Sequence, residues 1–331
     1  MNKITIRDVA KEAGVSIATV SKALNGVDVV KPKTKEKVLL AADRLHYVPN
    51  LMGKQLKGKT TLMLGFYTNS ITGPYFSTLV DAIAKESEAY GYGVNVFIST
   101  DKKVVLNSIL GNIVDGVIGF EDMITASDLE AIKREKIRAV FIDRNISSES
   151  IGSVVFDSAE AGYQATKHLT QLGHRNIAYI AGFNDVYDNE ERFKGYLRAL
   201  QEAKISFDAK LIIRGYFEEE ASFKATVEFL KSNPKSATAF VAGNDLSAIG
   251  AIKAMRTLNY DVPKDYSVVG FDDIDLLEYF TPPLTTVQNP IVLQGKTAVH
   301  HLISLINGES VGQSIELKGN LIVRQSTHKL E

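Results

Sequence analysis

Cysteine is absent from the 331 residues, which excludes disulfides and thiolate metal sites and leaves no sign of an oxidising compartment. No apolar run is long enough to span a bilayer. The amino terminus, MNKITIRDVAKEAG, is charged along its length and lacks an apolar stretch, so it does not read as a signal peptide. A cytoplasmic location with no membrane partner is expected. Catalytic signatures are equally scarce. No G-x-S-x-G elbow occurs, and the six histidines (His46, His168, His174, His300, His301, His328) lack metal-ligand spacing. The acidic pair Asp272-Asp273 reads more simply as a strand end than as a metal site. Neither a catalytic residue, a cofactor nor a metal ligand is expected, and the chain does not read as an enzyme.

Net charge is also nearly absent, at −1, but this hides an asymmetry. Residues 1–59 carry twelve Lys/Arg against five Asp/Glu, a net +7, so the remaining residues carry −8. A compact basic head on an acidic body points to a polyanion partner for the head. Residues 53–60, GKQLKGKT, fit the phosphate-loop pattern G-x-x-x-x-G-K-[ST]. That loop works only where it leaves a buried strand and opens a helix whose first N–H groups hold phosphate. Here the order is reversed. A helical pattern and Pro49 precede it and the apolar run TLMLGFYT follows it, so the match is coincidental.

Three short helices are legible in the first fifty residues. Thr5 precedes IRDVAKEA with Asp8 three residues on, the spacing of a capping box. Gly14 supplies a left-handed turn, and Ser16 caps a second helix, IATVSKALN. Pro32 and Thr34 precede a third, KEKVLLAADRLHY. Val9, Ala10, Val15, Val20, Leu24, Val38, Ala42 and Leu45 form the expected small core. Two helices joined by a tight glycine turn make a helix-turn-helix, whose second helix enters the major groove. Its exposed face is Ile17, Ala18, Ser21 and Lys22, with Lys22 able to donate to guanine and Ile17 and Ala18 able to touch a thymine methyl. Thr5, Ser16, Thr19 and Asn25 are placed to grip phosphates.

TIRDVAKEAGVSIATVSKALN, followed by LHYVPN, resembles the DNA-binding head of the lac-repressor/galactose-repressor family of bacterial transcription regulators, and the likeness runs essentially the whole length. The family most often has arginine where this chain has Lys22, and lysine lacks the planar fork for bidentate guanine contact. The resemblance implies that the stretch after the proline is a hinge that turns helical when two subunits meet on an operator. Leu56 is then the apolar wedge in the minor groove, with Asn50, Lys54, Lys57 and Lys59 near the backbone. Gly53 stands where the family usually has alanine.

From residue 61 the pattern alternates strand and helix, with strand candidates TLMLGFYT, VNVFIST, VDGVIGF, AVFID, SVVFD, NIAYIAG, KLIIRG, ATAFVAG and YSVVGFDD. Alternation of this kind argues for parallel sheets covered on both faces, and its length for two lobes. Ligands in such sheets bind beyond the carboxyl ends of the strands. Asp143, Asn244-Asp245 and Asp272-Asp273 fall at those ends, with Tyr75, Phe76 and Arg192 close by in sequence; Asp245 and Asp273 fit cap or turn roles best. By the resemblance, the effector contacts are Tyr75, Phe76, Asp143, Arg192, Phe217, Asn244 and Asp272. Purine-binding relatives carry a second arginine six residues before Arg192, where this chain has Val186, which favours a sugar or sugar phosphate.

The expected fold class is an N-terminal all-α helix-turn-helix head plus an α/β two-lobed body, periplasmic-binding-protein-like, with doubly wound parallel sheets. The head spans 1–49, the hinge 50–60 and the body 61–331. The first lobe takes in about 61–156 and 289–321, and the second about 157–288. The expected partners are pseudo-palindromic operator DNA, a small-molecule effector, most simply a carbohydrate, and a second copy of the chain. No heptad repeat follows the last strand, which favours a dimer over a tetramer. Some relatives dock a phosphocarrier protein on the first lobe, and nothing in this sequence supports that here. The alternative is a sugar-binding protein or an enzyme of carbohydrate metabolism without a DNA-binding role, which would not need the basic head.

Overall fold

The computed structural model describes residues 4–24, 29–48, 60–120, 123–184 and 186–330. The chain divides into two compact units, Met1–Thr61 and Leu62–Glu331.

The first unit contains α1 (Ile6–Ala13), α2 (Ile17–Leu24) and α3 (Pro32–Arg44). The capping box forms as the spacing predicts, the Asp8 carboxylate accepting from the Thr5 N–H at 2.8 Å and from its hydroxyl at 2.7 Å. These bonds hold the Asp8 carboxyl below its usual range. Gly14 turns the chain at φ 64°, where a side chain would strain the backbone. Val9, Ala10, Val20, Ala23, Val38 and Ala41 close the core between the three helices. The third helix differs from the sequence expectation at both ends. It opens at Pro32, not after Thr34, because proline at the first helical position needs no N–H partner and already has a helical φ. It stops at Arg44, not Tyr47, because His46 takes a left-handed conformation at φ 49°.

The second unit holds two six-stranded sheets. Its elements are β1 (Met63–Thr68), α4 (Pro74–Ala89), β2 (Gly93–Ile98), α5 (Lys102–Leu110), β3 (Gly116–Phe120), α6 (Ala126–Arg134), β4 (Ala139–Ile142) and β5 (Ile151–Phe156). Then follow α7 (Ser158–Gln171), β6 (Ile177–Ala181), α8 (Tyr187–Glu202), β7 (Ile212–Arg214), α9 (Glu219–Ser232), β8 (Ala239–Ala242), α10 (Asp245–Thr257) and β9 (Ser267–Asp272). Last come β10 (Thr285–Gln288), α11 (Ile291–Asn307), β11 (Ser314–Leu317) and β12 (Leu321–Ile322). The first sheet runs β11-β5-β4-β3-β1-β2 and the second β12-β10-β9-β8-β6-β7. All pairings are parallel except β12 on β10. Strand residues alternate between two helix-covered faces. In β1, Leu64 and Phe66 pack with Leu79, Val299 and Leu302 on one side, while Tyr67 packs with Val105 and Ile109 on the other.

The chain crosses between the sheets after β5, after β10 and between β11 and β12. Because Leu321–Ile322 pair with β10, the third crossing falls just ahead of 321. The crossings run side by side: the Asp157 N–H donates to the Leu317 carbonyl and the Gln288 N–H to the Asn320 carbonyl. Gly319 fits there because a Cβ would stand 2.0 Å from the Gln288 carbonyl oxygen.

Candidate functional site

In the head, α2 presents Ile17, Ala18 and Lys22 as exposed residues, with Ser21 half-buried. Val20 and Ala23 on its opposite side are buried. The Ser16 hydroxyl accepts from the Thr19 N–H at 3.1 Å and shares a hydrogen with the Thr19 hydroxyl at 2.9 Å. Thr5 caps α1 on the surface. Asn25, Asn50, Lys54 and Leu56 lie outside the described residues.

The body gathers two groups of polar side chains beyond the strand ends. On the first sheet, Asp143 follows β4 in a left-handed conformation at φ 55° and is buried. Its carboxylate accepts from the Gln294 amide at 2.7 Å and lies 2.9 Å from the Tyr75 hydroxyl. The same hydroxyl is 2.8 Å from the Gln294 amide oxygen, so one proton serves two acceptors. Burial and the charges of Asp143, Asp188 and Asp272 hold the Tyr75 hydroxyl well above its ordinary pKa. Phe76 and Phe120 wall the group, their ring centroids 5.0 Å apart.

On the second sheet, Arg192 is 3% exposed in α8. It donates through Nη1 to the Gly243 carbonyl at 2.6 Å and through Nη2 to Asp188 at 2.8 Å. Nη2 also stands 3.6 Å from Asp272, and the guanidinium lies 5.0 Å from the Phe271 ring centre and 5.9 Å from that of Phe217. Burial opposes its charge, but Asp188 and Asp272 more than offset that, so its pKa is raised. Asp272 ends β9 at φ 107° and is buried; loss of solvent pushes its carboxyl up to about 7 despite Arg192. Asp188 is raised by burial as well, with Arg192 and the Ser158 hydroxyl at 2.9 Å opposing the shift. Asn244 caps α10, its amide oxygen accepting from the Ser247 N–H at 2.9 Å. Its amide nitrogen donates to the Phe217 carbonyl at 3.0 Å, which fixes the turn carrying that ring. The Phe217 ring fills the space a Cβ would take at Gly182 or Gly243.

Asp245 and Asp273 serve as structural ties. Asp245 is fully buried and accepts from the Thr286 hydroxyl at 2.7 Å and the Ile274 N–H at 3.1 Å. Asp273 accepts from Arg324 at 2.6 Å and Gln288 at 3.0 Å. The two polar groups are within electrostatic reach of each other, since Asp143 acts on Arg192 as Asp188 and Asp272 act on Tyr75. Sequence reasoning missed Asp188, Ser158 and Gln294. The i, i+4 spacing of Asp188 and Arg192 was a usable signal. Gln294 had none, being brought in by the long excursion of the chain into α11. Among the described residues no cluster of His, Cys, Asp or Glu could hold a metal ion, and no helix is long and apolar enough to cross a membrane.

A helix-turn-helix and a two-sheet body with buried polar clusters beyond its strand ends are the features of ligand-controlled DNA-binding regulators. The chain belongs to the lacI family of bacterial regulatory proteins: that family matches residues 5–50, and a periplasmic binding protein-like domain matches residues 166–327. It is 36% identical to the HTH-type transcriptional regulator DegA of Bacillus subtilis (strain 168), over 99% of each chain. The structure of the lac repressor dimer bound to operator and the anti-inducer ONPF is 29% identical, covers 99% of this chain and 100% of its own, and superposes with a TM-score of 0.82. A transcriptional regulator CelR–cellobiose complex matches at 29% identity and a TM-score of 0.74, covering 98% and 99% of the two chains.

Proposed function

We propose that this protein is a cytoplasmic repressor that binds a pseudo-palindromic operator as a homodimer and releases or grips it in response to a carbohydrate held between the two sheets. The observation that carries the reading is the pair of buried polar clusters at the strand ends: Asp143, Tyr75 and Gln294 by the first sheet, Asp188, Arg192 and Asp272 by the second. Carboxylates, an amide, a guanidinium and aromatic faces are what polyol recognition uses. The CelR relative holds cellobiose and the lac repressor relative is bound to operator. Both properties are carried to this chain as part of the proposal. Val186, at the cap of α8, offers no side-chain donor to a purine.

In this reading Ile17, Ala18, Ser21 and Lys22 meet base edges, while Thr5, Ser16, Thr19, Asn25 and Asn50 meet phosphates. Through the hinge, Leu56 acts in the minor groove and Lys54 lies near the DNA backbone. Tyr75, Phe76, Asp143, Arg192, Phe217, Asn244 and Asp272 surround the effector. Ligand binding draws the sheets together about the three crossings, and operator affinity changes by the coupling free energy; operator binding alters effector affinity by the same factor. Selection from random duplexes by the purified protein tests the DNA arm. Enrichment of a two-fold-related sequence is expected, with affinity falling steeply as salt rises. Equal binding of selected and random duplex at moderate ionic strength, with and without sugars, rejects the function.

A further inference from the structure

The two polar clusters hold three carboxylates against one guanidinium, with the Asn289 amide, buried and without a hydrogen-bond partner, beside Asp272. Asp143, Asp188 and Asp272 contribute three carboxylates, all buried. Among the described residues, Arg192 is the one cation that acts on Asp188 and Asp272. Its two terminal nitrogens are already engaged, with Gly243 and with the two carboxylates. Of its five N–H groups, the Nε–H, buried and without an acceptor, and the second hydrogen of Nη1 are left to offer. The Tyr75 proton is held between Asp143 and Gln294, and the Gln294 amide donates to Asp143. An ionised carboxylate accepts and never donates. A ligand that satisfies this surface must therefore bring protons of its own.

We infer that the effector of these clusters carries no anionic group, so that an uncharged, hydroxyl-rich carbohydrate binds and its phosphorylated counterpart is rejected. The inference rests on the carbohydrate reading above. Each sugar hydroxyl supplies one donor to a carboxylate and can accept from the Arg192 Nε–H. A phosphate dianion supplies no proton and adds two negative charges beside three carboxylates, where the low dielectric makes repulsion strong. Asp188 is the decisive residue, because it occupies the edge of the Arg192 guanidinium that a phosphate would pair with. It is a selectivity device held in place by the Ser158 hydroxyl.

The test is calorimetric titration of the full-length protein with matched pairs at about pH 8.5, where Asp272, with its pKa of about 7, is ionised: ribose with ribose 5-phosphate, glucose with glucose 6-phosphate, fructose with fructose 6-phosphate. In any pair that binds, the free sugar is expected to bind roughly tenfold or more tightly than its phosphate. Asp188→Ser is expected to narrow that ratio by raising the relative affinity of the phosphate. Asp188→Asn, which keeps the shape, accepting from Arg192 through its amide oxygen while its NH2 donates to the Ser158 hydroxyl oxygen, gives the same reading if the serine variant fails to fold. A phosphorylated sugar that binds as tightly as its free form overturns the inference and leaves the carbohydrate reading intact. A protein that binds no member of either series while still selecting an operator overturns the carbohydrate reading and this inference with it.

Discussion

Asp272 ends β9 at φ 107°, a conformation that Asn and Asp tolerate better than other residues with a Cβ, and its buried carboxyl faces Arg192. Its pKa is raised from 3.8 to about 7, so between those values the folded protein keeps a proton that the unfolded chain releases. The stability this adds is complete below the unfolded pKa and disappears as pH rises through about 7, at up to about 1.4 kcal/mol per pH unit for one proton. Buried His174, whose pKa is lowered by burial, acts in the opposite sense, losing its contribution as pH falls. The measurement is therefore a difference: melting of the wild type against Asp272→Asn from acid to neutral pH. The wild type is expected to lose stability relative to the variant as pH rises, and parallel curves would contradict the assignment. Arg192→Ala leaves Asp188 and Asp272 buried without their cation, and is expected to abolish the effector response in operator titrations while DNA binding persists. A fully responsive variant rejects the cleft assignment. Asp143, Asn244 and Asp272 were legible in the sequence because each directly follows or ends an apolar strand. Asp188 lies mid-segment in a run of acids, DNEE, where nothing but its distance to Arg192 sets it apart.

Between α7 and α8 the backbones meet at glycine. A Cβ on Gly162 would stand 2.1 Å from the Arg192 carbonyl oxygen, and one on Gly195 the same distance from that of Ala159. Neither contact can be relieved by a side-chain rotation, so Gly195→Ala must push the helices apart and carry Asp188 and Arg192 with them. Overpacking costs typically 1–3 kcal/mol, roughly, and a backbone clash lies at the upper end. A lower melting temperature with weakened effector binding is expected, and wild-type values for both would refute this. The proposed hinge, outside the described residues, is the other segment with a sharp consequence. Leu56→Ala removes the proposed wedge and is expected to weaken specific operator binding, in gel-shift titrations, far more than binding to random duplex; equal losses on both would exclude a wedge. Nine strands were legible: seven are central and parallel, covered on both faces, and read as apolar runs, while the edge strands β2 and β7 showed through their Val and Ile residues. β10, β11 and β12 were not, because TTVQ, SIEL and LI are short and their burial comes from neighbours distant in sequence. α3 was misplaced at both ends, where Pro32 and His46 decide the boundary through backbone conformation, which hydrophobic periodicity does not report.

At the scale of the molecule, an operator with two-fold symmetry calls for two copies of the chain, and the body offers apolar surface for a second copy. β2 is an edge strand with Val96 and Ile98 exposed, and in the second lobe Leu276 and Tyr279 are exposed, the latter at 82%. Edge strands left open in this way invite pairing. Ile98→Asp is expected to shift the protein toward monomer in light scattering and to lower operator affinity, since one head then binds without the other; an unchanged dimer would move the interface elsewhere. The two-lobed plan was legible from the strand–helix alternation and the length of the body. The order of the strands was not, because it depends on where the chain crosses over. Those crossings set a schedule for synthesis. The first sheet lacks an edge until residues 314–317 are made, and the second until 321–322 are made. A nascent chain can complete the head within its first 48 residues, but must carry both sheets unfinished until residues 314–322 have been made. Its window of exposure to chaperones and proteases thus extends from the making of β1 to the making of β12.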